Sequence, residues 1–490
     1  MYIDKNKLFI GMLCVTVVLT LAFGVGLAYD VAYYRNAGTN TTTVAGAPGA
    51  NALGTQAPGA SGPEATADAS GGGGSTGSGS TGGRGVSGRP QVSGVPTLAA
   101  GNNTAVGAHD TIRIGAMLTL SGPGNVTDGY HAEQAYVQYI NSQGGVNGHM
   151  LELDVKDDQG NPAVGRPRFQ QLVQEDKVFA VVGECAPITD GTIVDLINQS
   201  QVPVVNDCLT SDAGYHSPWI WYTFIPPTTY MPLVANFLYK HQSLAHITKP
   251  YVLCLDQATV TPYCDSWVKQ WQQLGGTVCS NGTCGGGYDK FQIGTTRAQF
   301  EQEALRIKGS GADSIISGLE PSNELSFMQA LQDQNMSPSK PHSQGGYPQF
   351  AMIGADQYVE QTMGSFANGM VVSGFTYYLD ELQFPGIKQM HDVLQKFSPD
   401  TPIDTYVQAE WNPMVAFVEA LRRMGDNVTR ANLVSTLNSM GDFSDGQQKP
   451  MGWTANNHIA PLYTRYATVA GPSQFNLISG WIDPNGDPSG

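Results

Sequence analysis

Between residues 178 and 212 the sequence VFAVVGECAPITDGTIVDLINQSQVPVVNDCLTSD admits few backbone solutions. Residues 178–182 form a short apolar run rich in valine, long enough for a strand buried on both faces. Gly183 ends the run, and Asp190 is placed to cap a helix carrying Ile193, Val194 and Ile197 at helical spacing. A second buried strand, 202–205, leads into the polar loop 206–212. Two parallel strands joined by a helix bring both carboxyl-end loops to one rim of a sheet, the rim where open α/β sheets bind ligands. Each loop carries one cysteine, Cys185 and Cys208.

The flanking sequence repeats the pattern. Strands are expected at 111–118 and 151–155, with helices at 129–143, 162–176 and 229–240, the last closing a first α/β unit. A similar run follows Lys249-Pro250: strands at 251–255, 277–280, 312–317 and 350–354, with helices at 263–274, 299–310 and 324–334. Beyond Gly369 come helices at 385–397, 405–424 and 432–440, then alternating strands at 461–469 and 474–482. Strand–helix alternation of this kind indicates doubly wound parallel sheets. A tail of this composition is able to return to the first unit and finish on the second.

The other end of the chain sets the compartment. Lys5 and Lys7 precede residues 8–28, which carry no charge and would span about 32 Å as a helix, the thickness of a bilayer core. The lysines hold the amino terminus in the cytoplasm and place everything after Asp30 outside. An uncleaved anchor within 1–36 is the expectation. Gly26-Leu27-Ala28 offers the alternative of a cleaved signal and a secreted head. Residues 37–108 are Gly, Ser, Thr, Ala and Pro with hardly a charge, a linker unable to bury enough apolar surface to order itself. The formal charge of −16 excludes a nucleic-acid partner, because phosphate binding needs a basic surface.

No catalytic constellation is present: the chain lacks a G-x-S-x-G elbow, an H-E-x-x-H pair and a P-loop, so neither an enzyme nor a cofactor is expected. His241 and His246 have no carboxylate at ligand spacing and read as surface residues. Asp157-Asp158 reads as a solvated turn ahead of an acid pair, and Trp219, Trp221 and Tyr222 as core. Cys279-Ser-Asn-Gly-Thr-Cys284 is a hairpin with a favoured Asn-Gly turn that a disulfide would staple, and paired metal-ligand spacing is absent. With that staple, Cys254 pairs with Cys264 and Cys185 with Cys208. Cys254–Cys279 with Cys264–Cys284 is the alternative.

The segments IRIGAMLTLSGP, INSQGGVNGHMLELDVKDDQGNP, VFAVVGECAPIT and VPVVNDCLTSD resemble the leucine/isoleucine/valine-binding protein family, the extracytoplasmic solute receptors of ABC importers. The resemblance runs from Asp110 to about Ile482. It implies the type 1 periplasmic-binding-protein fold: two doubly wound parallel-sheet lobes joined by three crossings, here 110–243 with 376–450 and 247–374 with 451–490. It also implies a small polar ligand, an amino acid or amide-like solute, held in the cleft and passed to an ABC permease. A tethered sensor using the same fold without transport is the alternative. The family's ligand contacts map onto Ala186, Pro187 and Thr189 after Gly183, onto Cys208 and Thr210 in the next loop, and onto Tyr263, Leu319 (with Glu320) and Asp356 in the second lobe. At 186–189 this chain departs from the family: the serine that supplies a hydroxyl to the ligand carboxylate is missing, unless Thr189 replaces it. A Cys185–Cys208 disulfide would tie the two ligand loops together.

Overall fold

The computed structural model describes residues 90–489, apart from 93, 95–96, 123, 353–358, 360–361 and 460–461. The expected anchor or signal segment, the linker before residue 90, and Asp356 therefore lie outside the described residues. From Ile112 onward, short strands buried largely on both faces build a first sheet from β1 (Ile112–Leu118), β2 (Leu151–Asp157), β3 (Ala180–Val182), β4 (Val204–Asn206) and β5 (Ile220–Tyr222). Its order is β2-β1-β3-β4-β5, and every pair is parallel. The connecting helices are α1 (Thr127–Ser142), α2 (Pro162–Gln174), α3 (Val194–Ser200) and the single turn α4 (Asp212–Tyr215).

The second sheet takes β6 (Pro250–Leu255), β7 (Cys279–Ser280), β8 (Thr283–Cys284), β9 (Asp289–Phe291), β10 (Ser314–Gly318), β11 (Gln349–Ala351) and β12 (Val371–Gly374). Its helices are α5 (Pro227–Lys240), the turn α6 (Gln242–Ala245), α7 (Thr261–Gln273), α8 (Arg297–Ser310) and α9 (Pro321–Asp333). This sheet is parallel through its centre, as expected, and antiparallel at its two edges. β7 pairs antiparallel with β8, and the chain end adds antiparallel strands beside β12.

The return of the tail is decided by burial. After β12 come α10 (Pro385–Phe397), α11 (Thr405–Met424), α12 (Arg430–Leu437) and a hairpin of β13 (Gly441–Phe443) and β14 (Met451–Trp453). Met390, Trp411, Met414, Phe417 and Leu433 all join the core that contains β1, β3 and β4. So do Met451, Trp453 and Ile459, which extends the first lobe past the expected limit of 450. β15 (Arg465–Gly471) and β16 (Gln474–Leu477) then finish on the second sheet. The chain crosses between the units three times.

Two expectations are corrected by packing. Helix α5 was placed with the first unit, but Val234, Phe237 and Leu238 share a core with Trp267, Trp271 and β6, so it belongs to the second. The linker, expected to run to residue 108, is ordered where it is described: Val92 is buried, and Ala99 donates its backbone N–H to the Gln201 side chain at 2.8 Å. Val106 N–H reaches Val428 O at 2.9 Å, and Arg430 donates to Asn102 O at 3.1 Å and Phe179 O at 2.9 Å. A chain poor in apolar residues is ordered here by backbone hydrogen bonds that the lobe offers it.

The cysteines pair as Cys185–Cys208, Cys254–Cys264 and Cys279–Cys284, which excludes the crossed alternative. Cys279 and Cys284 face each other across the β7–β8 hairpin, with Asn281 and Gly282 at positive φ in its turn.

Candidate functional site

The carboxyl ends of β1, β3 and β4 meet at one rim, and their loops are locked together. Gly183, at φ 73°, leaves β3 beneath two carboxylates. A Cβ there would collide with Glu133 of α1 and stand 2.8 Å from Glu410 of α11. Only glycine fits, for conformation and for space. Next, Glu184 turns inward and accepts Met117 N–H at 3.0 Å, while Thr119 N–H donates to Cys185 O at 3.1 Å. The Cys185–Cys208 disulfide then joins the β3 loop to the β4 loop.

The expected cap of α3 is not made. Asp190 begins a short 3₁₀ turn, and α3 starts after Ile193 without a side-chain cap. The Asp190 carboxylate instead accepts Ala186 N–H at 3.0 Å. Asp158 is likewise buried and no solvated turn: it accepts the hydroxyls of Thr119, at 2.7 Å, and Thr189. Asp157 ends β2 and holds the loop after β1, accepting Leu120 N–H at 3.0 Å and the Ser121 hydroxyl at 2.6 Å.

The ligand residues mapped from the resemblance divide into two groups. Pro187, Cys208, Thr210 and Tyr263 are half-buried at the ends of their elements, while Ala186, Thr189 and Leu319 are fully buried. Glu320 is engaged as the cap of α9, accepting Ser322 N–H at 2.7 Å and Asn323 N–H at 2.9 Å. Tyr263 lies in the first turn of α7; burial and then the Asp207 carboxylate of the first lobe raise its phenol, and Tyr263 adds to the rise at Tyr215.

Sequence reasoning missed the charge beneath these loops. Glu133, Glu184, Asp190, Asp207 and Glu410 are buried, and no lysine, arginine or histidine pairs with them among the described ion pairs. Burial pushes each carboxyl above its ordinary range, and their mutual repulsion adds to the rise for Glu133, Glu184, Asp190 and Asp207. For Glu410 burial raises the value to about 7. The available signal was Glu410 on the apolar stripe Val407, Trp411, Met414 of α11, and Glu133 between Ala132 and Tyr136 of α1. The Cys185 and Cys208 sulfurs lie within 4.8 Å of a Glu410 oxygen, but they are bonded to each other and offer no thiolate to a metal.

Comparison with known proteins fits this architecture. A sequence model described as periplasmic binding protein matches residues 111–471. Among solved structures, a possible leucine/isoleucine/valine-binding protein from Rhodopirellula baltica aligns with TM-score 0.63 at 16% identity, over 77% of this chain and 98% of that one. The solute-binding protein of an ABC transporter from R. palustris, in complex with benzoate, gives TM-score 0.62 at 15% identity, over 76% and 98%. LivJ, a branched-chain amino acid transporter substrate-binding protein from Streptococcus pneumoniae in complex with isoleucine, gives 0.60 at 17%, over 75% and 98%. At these identities the likeness is one of fold. The chain is also 31% identical over 97 residues to the chemotactic signal transduction system substrate-binding protein BasB of Halobacterium salinarum, a match spanning 23% of that protein's length. The family match covers well over half of the sequence, from β1 to the end of β15, so the chain belongs to the periplasmic binding protein family.

Proposed function

We propose that this protein is a membrane-tethered, extracytoplasmic receptor that captures a small polar solute between its lobes and delivers it to an ABC importer. The observation that carries the reading is the rim of the first sheet, where Cys185–Cys208 locks the β3 and β4 loops beside the buried Asp207 and where Tyr263 of the second lobe lies near enough for that carboxylate to add to burial in raising its phenol. An aromatic ring opposite a desolvated carboxylate is a recognition pair for a polar molecule, and it has no reacting partner of the kind catalysis needs. The Cys185–Cys208 bond supports it by holding the loops ready, which lowers the ordering cost of binding. The resemblance implies an amino acid or amide-like solute, while fold relatives are in complex with benzoate and with isoleucine, so the fold does not fix the ligand. Pro187, Cys208, Thr210 and Tyr263 are the expected contacts, and the resemblance adds Asp356, which lies outside the described residues.

The test is a thermal-shift survey of the purified protein against a broad solute panel, followed by titration of each hit. At least one solute should raise the melting temperature in proportion to ligand over Kd. A flat response across sugars, amino acids, amides, amines and organic acids defeats the reading.

A second reading is favoured by one relative, the chemotactic BasB. There the same capture would report to a membrane transducer instead of feeding a permease. Cross-linking of the intact protein in its native membrane separates the two: recovery of a permease supports transport, and recovery of a transducer supports sensing.

A further inference from the structure

The donors at the rim of the first sheet are already occupied by the chain's own carboxylates. Ala186 N–H is held by Asp190 at 3.0 Å, and Thr210 N–H is directed to the same carboxylate. The hydroxyls of Thr119 and Thr189 are both held by Asp158. Met117 N–H goes to Glu184 and Leu209 N–H to Asn206 Oδ1, each at 3.0 Å. An anion arriving here would have to displace one of these intrinsic carboxylates. It would also face the carboxyls of Asp190, Asp207, Glu184 and Glu410, which burial already holds toward their neutral forms and which offer an anion no positive charge.

What stands unpartnered is mainly acceptor. Asn412, fully buried, donates to Asp207 at 3.5 Å and leaves its Oδ1 without a partner. Asp190 Oδ2 is also unpartnered, and the Glu410 carboxyl has the Glu133 carboxyl as its one polar neighbour in hydrogen-bond reach among the described residues. Two donors are left over, Asn206 Nδ2 and the Tyr222 hydroxyl, both uncharged, and the latter faces Asp190. Tyr215 packs on the same lobe against Tyr222, ring centroids 5.4 Å apart, and Tyr263 of the second lobe is close enough for Asp207 to add to burial in raising its phenol. Buried acceptors call for N–H donors, a raised carboxyl that ionises against an incoming cation makes those bonds charge-assisted, and aromatic faces attract cations.

We infer that the solute is an organic cation, a protonated amine without a carboxylate, whose N–H groups reach Asp207 and Asn412 while its carbon body lies against Tyr263. This rests on the receptor reading above and narrows its ligand class. It also accounts for the missing serine at 186–189: with Asp190 filling that loop, no ligand carboxylate is bound there.

Isothermal titration of the full chain with matched sets tests the inference. Each set shares one side chain: leucine, leucinamide and isoamylamine, then phenylalanine, phenylalaninamide and phenethylamine. In at least one set the amide or amine should bind at least tenfold more tightly than the amino acid. Asp207→Asn should weaken that ligand at least tenfold, and Tyr263→Leu should weaken it as well. Asp190→Ala, which vacates the Ala186 and Thr210 N–H groups, should raise the affinity for the amino acid. Amino acids binding as tightly as their amides, or amine binding unmoved by Asp207→Asn, would overturn it. If these ligands fail while a neutral or anionic solute of the wider panel binds, the receptor reading stands and the cation inference falls. Silence from every class removes both.

Discussion

At the scale of single residues, the carboxyl groups under the rim make the sharpest predictions. Gly183 is boxed between Glu133 and Glu410 at positive φ, so Gly183→Ala combines backbone strain with a collision against buried side chains. It should cost about 3 kcal/mol or more, read as a lowered denaturation midpoint. Glu410 titrates near 7 in the fold because burial disfavours its charge. A carboxyl raised in this way stabilises the protein fully below its unfolded value and loses that contribution as pH rises through 7. His458 works in the other direction: burial depresses it to about 4, so it costs stability as pH falls below its ordinary value. The two trends overlap in the wild type, and Glu410→Gln separates them. The stability of the variant minus that of the wild type should grow between pH 5 and pH 8, by on the order of 3 kcal/mol; an unchanged difference would show Glu410 to be ionised throughout. None of these roles was legible in the sequence, because a carboxylate on an apolar stripe shows its position without showing what lies opposite. Asp190 is the clearest case. Its place before Ile193 suits a helix cap, yet the loop bends so that its carboxylate serves Ala186 N–H instead.

At the scale of elements, the β3 and β4 loops depend on their disulfide. The Cys185–Cys208 link closes a sequence separation of 23 residues, and its removal as Cys185→Ala/Cys208→Ala should cost about 3 kcal/mol. Solute affinity, measured by titration at a temperature where the variant is folded, should fall too, since loops freed from each other must be ordered on binding. Here the sequence was informative: each cysteine ends a buried strand of one strand–helix–strand unit, and parallel neighbours bring those ends together. Helix α5 was misplaced for the converse reason. Its apolar positions, Val234, Phe237 and Leu238 among them, specify that it is buried without specifying against which sheet. Trp267 and Trp271 of α7 decide that, stacked 4.9 Å apart on the same core.

At the scale of the whole molecule, the segment from Pro90 to His109 belongs to the folded head. A head beginning at Asp110 loses the Val92 burial, the Ala99–Gln201 and Val106–Val428 bonds and the Asn102 acceptor of Arg430. Compared with one beginning at Pro90, it should be less stable by about 2–4 kcal/mol in chemical denaturation. Equal stability would return this segment to the linker. By itself the sequence determined the alternation of strands and helices and the two α/β units, and narrowed the cysteines to two sets of pairs, because hydrophobic period and chain proximity act over short distances. Only the tertiary structure decided which cysteine pairs formed, which lobe received α5 and residues 451–459, that the chain end adds antiparallel strands beside β12, and that five buried carboxyl groups gather under the β3 and β4 loops. Those outcomes depend on which surfaces meet across hundreds of residues, as when α11 brings Glu410 and Asn412 beneath Gly183 and Asp207.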